Sequence, residues 1–446
     1  MKACFTGKLP QSLRPGAASC VPFIENARQG QQALVVHKGR LTLDGAGDAC
    51  VHYDVDVDRA IREASSSVAA REAQTALLST DLWLWHPRDR RVRLEVDAPS
   101  AVHVALPFAE VTERPMDVDD GRVVYDVPTT SYRWRSTSAF GAFRSFAVDV
   151  GRGMVDVHLL HPDLDEKGVR AWMEAAASSV TTVAGRFPRR RVQVFVRKAA
   201  LGGEPVVFGM VARGGGPVAT FFVADDDKQA LVGEWVGVHE LAHLLTPYIQ
   251  RQDAWMSEGV ATWYQNIARM RSGLLSKEEC WAKMVDGFAR GRRAASSAST
   301  VQQASARMHE TFAYTYVYWA GTAAALLLDV QARVQSNGAW SLDRASDAVL
   351  DDAVAAQKRL TAKRYAELLD QAAGTDMFVD EVVRVERTQG FPDVQQVLWK
   401  LGVHEKHDGT VWLDDKAEWA WVRHAIERPV AAPATPKQKT ASTTSR

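Results

Sequence analysis

Two histidines and a glutamate lie close together in the segment His239-Glu240-Leu241-Ala242-His243. Residues four apart on an α-helix project from the same face, one turn apart, so the two imidazoles could converge on a single metal ion. In this type of zinc motif the glutamate reaches a water molecule at the metal without being a ligand itself. The spacing therefore predicts that His239 and His243 bind zinc and that Glu240 acts as a general base.

The residues around this motif predict a buried helix that ends near Pro247, whose ring and missing N–H stop a helix. Ionisable side chains in a buried helix need partners, and one metal ion would satisfy all three. The alternative is a pair of ordinary core histidines, because so short a motif also arises by chance. The apolar residues of the helix are Leu231, Val232, Trp235, Val236, Val238, Leu241, Leu244 and Leu245.

A third metal ligand is predicted in the next helix, where Glu258 falls in the first turns of the segment from Trp255 to Tyr264. A catalytic zinc site takes three protein ligands and leaves one position open for water. The alternative is that Glu258 is a charge favoured near a helix N-terminus by the helix dipole. We predict one zinc ion held by His239, His243 and Glu258.

Both segments together resemble the gluzincin metallopeptidases, with fourteen residues between His243 and Glu258. They are most similar to the glycyl aminopeptidase family and more distantly to the large zinc aminopeptidase family. The resemblance covers roughly residues 165 to 403. It implies a thermolysin-like catalytic domain behind a β-rich domain, hydrolysis of peptide bonds, and a peptide or protein as substrate.

A second segment that is similar to this family runs from Tyr316 to Gly321. On that match, the resemblance implies that Tyr318 donates a hydrogen bond to the tetrahedral intermediate. Tyr314 and Tyr316 lie on the same segment and stay open as alternatives. Simple core packing is a further alternative, because it is the commoner use of aromatic residues at helical spacing.

The segment from Phe208 to Pro217 departs from the family pattern, because it holds no acidic residue where these aminopeptidases bind the free amine of the substrate. Gly215 and Gly216 in this segment are candidate substrate-binding residues. Val218 to Val223 is predicted to be a strand that either pairs with an extended peptide or is an ordinary sheet strand. Endopeptidase and exopeptidase activity both stay open.

The wider pattern predicts an α+β fold. Short alternating strands separated by Pro, Gly and Asp clusters predict a β-rich sandwich or saddle-shaped domain over residues 31–165. Residues 166–405 form the predicted catalytic domain, with helices near 228–246, 256–272, 276–290, 309–334, 361–373 and 392–402. Residues 1–30 are predicted to be irregular, 59–78 helical or a loop, and 406–427 a short extension. Residues 428–446 are predicted to be disordered because they lack large apolar side chains after Val430.

Composition limits the classes of function. The 446 residues carry 54 Lys and Arg and 54 Asp and Glu, and this balance argues against a nucleic-acid-binding protein. No apolar run is long enough to span a bilayer. The lack of a recognisable signal peptide favours a cytoplasmic protein, although a start site placed too far downstream would hide an export signal. The four cysteines lie far apart and define no disulfide framework.

Two rival functions fit the same residues. One is a related zinc hydrolase with a non-peptide substrate, and the other is a catalytically silent, zinc-stabilised binding or scaffold protein. A purely structural zinc site needs neither Glu240 nor an open coordination position, which favours an enzyme. The sequence therefore predicts a zinc-dependent metallopeptidase, with aminopeptidase activity as one form.

Overall fold

The computed structural model describes residues 1–5, 8–45, 47, 49–87, 90–109, 116–118, 122–131, 134–200, 203–296, 299–350 and 359–431. The N-terminal part of the chain is β-rich and the C-terminal part is mainly helical. This order confirms the predicted α+β class.

The N-terminal part is built from short strands with two short helices, α1 Val57–Glu63 and α2 Thr80–Trp83. Its sheets have the strand orders β1-β7-β3-β4, β2-β6-β5, β11-β14-β9-β8 and β10-β13-β12. The strands are β1 Lys2–Cys4, β2 Ser12–Leu13, β3 Ile24–Gln29, β4 Gln32–Ala33, β5 Val36–His37, β6 Arg40–Thr42, β7 Cys50–Val55, β8 Ala69–Glu72, β9 Thr75–Ser79, β10 Val92–Val96, β11 His103–Ala105, β12 Met116–Val118, β13 Arg122–Val127 and β14 Thr137–Gly141.

Two expectations for this part were wrong, and the expectation for residues 59–78 was right only for the end of a helix. Residues 1–30 are not irregular, because β1, β2 and β3 pair with later strands of the same part. Residues 59–78 contain the end of α1 and then the β8–β9 hairpin. Cys4 and Cys50 are disulfide-bonded across the β1–β7 pair, whereas Cys20 and Cys280 are buried free thiols.

A five-stranded sheet begins the C-terminal part, in the order β15-β16-β17-β19-β18. Its strands are β15 Arg144–Asp149, β16 Met154–Leu159, β17 Arg191–Lys198, β18 Val206–Ala212 and β19 Val218–Val223. The predicted boundary at residue 165 was therefore too late, because β15 and β16 pair with this sheet. The segment predicted as a possible peptide-pairing strand, β19, lies inside the sheet between β17 and β18. The edge strand on this side of the sheet is β18, and β15 forms the other edge.

The helices of the C-terminal part enclose one large apolar core together with this sheet. They are α3 Glu166–Thr181, α4 Lys228–Val232, α5 Val236–Ala242, α6 Ala254–Arg271, α7 Lys277–Ala294, α8 Val301–Ala306, α9 Met308–Thr311, α10 Tyr314–Gln335, α11 Leu342–Leu350, α12 Ala362–Ala373, α13 Met377–Arg387, α14 Gln395–Leu401 and α15 Ala420–Glu427. The helix predicted over 228–246 is divided into α4 and α5. The one predicted over 309–334 is divided at Phe312, whose φ of 55° belongs to the left-handed region.

Two glycines let α6 and α10 pack backbone against backbone. A Cβ atom on Gly321 would overlap the Trp255 carbonyl oxygen, and one on Gly259 would overlap the backbone of Gly321. Only glycine fits such a close approach. This contact brings the helix that carries Glu258 against the helix that carries Tyr318.

The chain after residue 405 is part of the core rather than an extension. The hairpin of β20 Val403–Glu405 and β21 Val411–Leu413 is followed by α15, and Val422 and Ile426 of that helix are fully buried. The last described residues continue along the surface, where the Val430 N–H donates to the Thr182 carbonyl oxygen. Residues 432–446 of the predicted disordered tail lie outside the described residues. Among the described residues, no helix combines the length and apolar character that crossing a membrane requires.

Candidate metal centre

The helix α5 carries the His-Glu-x-x-His segment through the core. The Glu234 carboxylate accepts a hydrogen bond of 2.5 Å from the Val236 N–H at the start of α5, and every residue of the helix is buried. A 3₁₀ turn, His243–Leu245, continues α5, and Thr246 is already extended before Pro247. The two histidines thus project from a buried element.

The two imidazoles converge on one carboxylate of the neighbouring helix. The Nε2 atoms of His239 and His243 each lie 3.4 Å from the same oxygen, Oε2 of Glu258. The ring centroids are 4.9 Å apart, and both histidines are buried, while the Glu258 side chain is 19% exposed. The structure therefore brings together the three residues predicted as metal ligands, and the carboxylate keeps some access to solvent.

The spacing of these atoms fits zinc. In proteins, zinc lies about 2.0–2.1 Å from a histidine nitrogen and about 2.0–2.2 Å from a carboxylate oxygen, with tetrahedral angles. Two such ligand atoms are then roughly 3.4 Å apart, which is the separation of both imidazole nitrogens from the Glu258 oxygen. Two neutral imidazoles and one carboxylate also form the ligand set of known catalytic zinc sites.

A second carboxylate, that of Glu240, approaches the same place. One oxygen of Glu240 and one nitrogen from each imidazole all lie within 4.8 Å of one another. Adjacent residues on a helix do not share a face, so Glu240 flanks the two histidines instead of lying in line with them. Glu240 therefore lies beside the candidate metal-binding point, and Glu258 faces both imidazoles across it.

The outer nitrogen of each imidazole has its own partner. Nδ1 of His239 lies 3.1 Å from Oε1 of Gln265, and Nδ1 of His243 lies 3.3 Å from Oγ of Ser257. Partners of this kind fix the ring orientation and leave Nε2 free to bind a metal. Sequence patterns did not point to Gln265 or Ser257, because hydrogen bonds between helices leave no periodic signal.

Neighbouring charges and burial shift the pKa values of Glu258 and Tyr318. Burial raises the pKa of the Glu258 carboxyl, but attraction to His243 and hydrogen bonding to both histidines outweigh it, so the pKa lies well below its usual value. Burial, followed by the charges of Glu258 and Glu240, raises the pKa of the Tyr318 hydroxyl. Glu258 is thus ionised and Tyr318 is protonated, so Tyr318 can donate a hydrogen bond.

The three candidate tyrosines of α10 have different neighbours. The Tyr318 ring stacks on the His239 ring with centroids 6.0 Å apart and planes 8° from parallel. The Tyr316 hydroxyl donates to the Gly390 carbonyl oxygen at 2.6 Å, and the Tyr314 hydroxyl lies 2.9 Å from Nδ1 of His309. Of the three, only Tyr318 is in contact with a predicted metal ligand.

The predicted substrate glycines make close contacts with the N-terminal part. A Cβ atom on Gly216 would overlap the Pro107 carbonyl oxygen, and one on Gly215 would overlap the Ser131 carbonyl oxygen. Both residues have positive φ, 79° for Gly215 and 116° for Gly216. Backbone packing between the two parts therefore accounts for these glycines without any contact with substrate.

A different glycine, Gly209 on the edge strand β18, lies against the metal centre. A Cβ atom there would be 2.6 Å from Cγ of Glu240 and 2.8 Å from a methyl carbon of Val236. The sequence signal was a glycine inside a strand, which often marks a close backbone approach. The edge strand thus passes directly over the predicted general base.

Comparisons with known proteins agree with this architecture. No protein-family model matches the sequence, and no curated protein matches it. Among solved structures, an aminopeptidase N family protein from Idiomarina loihiensis is similar with a TM-score of 0.64 and 15% identity, over 90% of this chain and 75% of the other. A two-domain M1 zinc metallopeptidase variant bound to L-arginine has a TM-score of 0.52 and 16% identity, over 88% and 87%. Native yeast LTA4 hydrolase has a TM-score of 0.50 and 12% identity, over 87% and 63%.

The fold is that of the M1 zinc metallopeptidases. The predicted resemblance to gluzincins is therefore supported at the level of the fold. The closer similarity to the glycyl aminopeptidases stays a prediction, because these structures belong to the more distant relatives named from the sequence.

Proposed function

We propose that this chain is a zinc-dependent metallopeptidase in which His239, His243 and Glu258 hold one zinc ion and Glu240 is the general base. The observation that carries the proposal is the position of one Glu258 oxygen, 3.4 Å from both imidazole nitrogens. A fold shared with M1 zinc metallopeptidases adds support.

The protein groups have distinct roles in the proposed hydrolysis. Bound zinc would supply Lewis-acid activation of a water molecule and of the scissile carbonyl. The Glu240 carboxylate takes the proton of the attacking water and returns it to the leaving amine. The protonated Tyr318 hydroxyl donates a hydrogen bond to the carbonyl oxygen as negative charge develops, a contribution of about 3–4 kcal/mol per donor in comparable sites.

The edge strand β18 provides a place for the substrate backbone. Its inner side pairs with β19, and its outer side has no partner strand among the described residues. Val207, Phe208 and Met210 on this strand are large apolar residues exposed to solvent. An extended peptide can add to such an edge by main-chain hydrogen bonds, and the close approach of Gly209 to Glu240 supports a peptide bound near the proposed base.

Digestion of a mixed peptide library, read by mass spectrometry, tests this function. We expect cleavage by the purified protein, loss of cleavage after chelation, and recovery when zinc is added back. Cleavage positions counted from the peptide ends then distinguish endopeptidase from aminopeptidase activity. A protein that binds one zinc ion but cleaves no peptide in the library would contradict the proposal and favour a scaffold.

A further inference from the structure

Arg213 lies directly after the edge strand and points its guanidinium into the protein. Its Nη1 donates to the carbonyl oxygens of His243 and Pro247 at 3.2 and 3.1 Å, and to Oγ1 of Thr246 at 3.1 Å. Its Nη2 donates to Oγ of Ser257 at 2.9 Å. One side chain therefore holds the segment that follows α5 and the first turn of α6.

These contacts join the two elements that carry the proposed metal ligands. His243 provides one imidazole, and Ser257 immediately precedes Glu258 on α6. The Ser257 hydroxyl also lies 3.3 Å from Nδ1 of His243. Arg213 thus acts on the His243 ring in two ways, through the backbone carbonyl of that residue and through the Ser257 hydroxyl.

Arginine suits this position because its planar guanidinium offers five donors in a fixed fork. A lysine has one rotatable ammonium group and cannot reach both elements with the same geometry. The guanidinium also lies over the Tyr248 ring, 5.0 Å from its centroid, which limits its movement.

The positive charge of Arg213, considered by itself, would weaken zinc binding. A half-buried cation beside the proposed metal-binding point repels a divalent ion, so removing the charge by itself would tighten zinc binding. A variant without the guanidinium therefore separates two explanations, because loss of positioning weakens zinc binding and loss of charge strengthens it.

We propose that Arg213 is a positioning residue of the metal centre, which sets the separation of His243 and Glu258 by holding the segment that follows α5 and Ser257 in one fork of hydrogen bonds. This inference rests on the proposed zinc site. Groups that orient metal ligands in this way typically change metal affinity by about 10- to 100-fold when they are removed.

The test measures the zinc dissociation constant by competition with a chromophoric chelator, together with the visible spectrum of the cobalt-substituted protein. We expect Arg213→Met and Arg213→Lys each to weaken zinc binding by about 10- to 100-fold. Both should also alter the cobalt spectrum, which reports the geometry of the ligands. Ser257→Ala should weaken binding less, and Arg213→Met should have a smaller effect in the Ser257→Ala background than alone.

A matched control is Arg423→Lys. Arg423 is a buried arginine that, like Arg213, makes several hydrogen bonds, here to the Leu401 carbonyl oxygen and to Glu427 and Asp415. We expect this variant to lose thermal stability and to keep the wild-type zinc affinity and cobalt spectrum.

Two results would overturn the inference while leaving the zinc site intact. One is an Arg213→Met protein that melts earlier but binds zinc as tightly as the wild type or more tightly. The other is wild-type affinity in both Arg213→Lys and Ser257→Ala, which stays informative if Arg213→Met fails to fold. A wild-type protein that binds no zinc would instead overturn the proposed function itself.

Discussion

Two clusters of ionisable residues lie near the two ends of helix α6 and differ in how their charges are arranged. Near its start, Glu258 faces His239 and His243 across a gap that fits a metal ion. At its end, Arg271 belongs to a network with Arg333, Asp329 and Asp343, in which the paired atoms are 2.9–3.0 Å apart. Both clusters bring side chains of opposite charge close together, but the distances between the charged atoms differ.

In the network at the end of α6, each charged side chain forms an ion pair with another side chain of the protein. Its members join α6, α10 and α11, and all are buried. Burial raises the pKa of the Asp343 carboxyl, but Arg271 and Arg333 outweigh it and hold the pKa below its usual value. The charges of this network pair with one another and stabilise the packing of three helices, whereas the side chains of the candidate metal centre converge on one point. The same change of carboxylate to amide should therefore have different consequences in the two clusters.

The largest effect is expected for Glu240→Gln. Without the carboxylate no group can take the proton of the attacking water, so kcat should fall by about 10²- to 10⁴-fold. Zinc content and melting temperature should remain those of the wild type, because the amide keeps the shape of the side chain. Steady-state hydrolysis of a peptide found in the library digestion measures the loss. Retained activity would rule out Glu240 as the base.

The next largest effect is expected for Tyr318→Phe. Losing one hydrogen-bond donor to the developing oxyanion should lower kcat by about 10²- to 10³-fold with little change in KM. The matched control is Tyr316→Phe, which removes the hydroxyl that donates to the Gly390 carbonyl oxygen. That control should reduce stability and leave kcat unchanged. The reverse pattern would assign the donor to Tyr316.

In the network at the end of α6, Asp343→Asn should lower the stability of the protein and leave its activity unchanged. It leaves Arg271 and Arg333 buried with a weaker partner, and breaking such a group costs about 3 kcal/mol or more in the free energy of unfolding. Chemical denaturation measures the loss, and kcat per folded molecule should not change. If Asp343→Asn abolished activity in a fully folded protein, the division between the two clusters would be wrong.

A smaller, pH-dependent effect is expected for Glu234→Gln at the start of α5. Burial raises the pKa of Glu234 to about 7, although backbone N–H groups and Arg269 oppose the rise. Because the folded state holds this proton more tightly than the unfolded state, its contribution to stability is complete at low pH and is lost as the pH rises towards 7. The amide should stabilise the protein at pH 8 by on the order of 2 kcal/mol and have little effect near pH 4. Unfolding measured at both values tests this, and an equal difference at both would contradict the assignment.

The part of the candidate metal centre that could be predicted from sequence is the part that depends on spacing within one helix. The His239–His243 pair is four residues apart on one helix, so its convergence follows from helix geometry. Glu258 was predicted from the need of a catalytic zinc site for a third protein ligand, whereas its distance from the two histidines depends on how two helices pack and could not be predicted. The two alternatives for Val218–Val223, a peptide-pairing strand and an ordinary sheet strand, stayed open for the same reason, since the position of β19 between β17 and β18 depends on long-range pairing. Arg213 and Ser257 were missed because they act across elements without any repeating pattern.

The central claim is that His239, His243 and Glu258 hold one zinc ion. Metal analysis after gel filtration tests it most directly when the wild type is compared with His243→Ala. His158→Ala is the control, because His158 is buried and lies 2.8 Å from both Gln193 and Ser145. We predict one zinc ion per chain in the wild type and in His158→Ala, and none in His243→Ala. A zinc-free wild type, or a His243→Ala protein that retains its zinc, would contradict the claim.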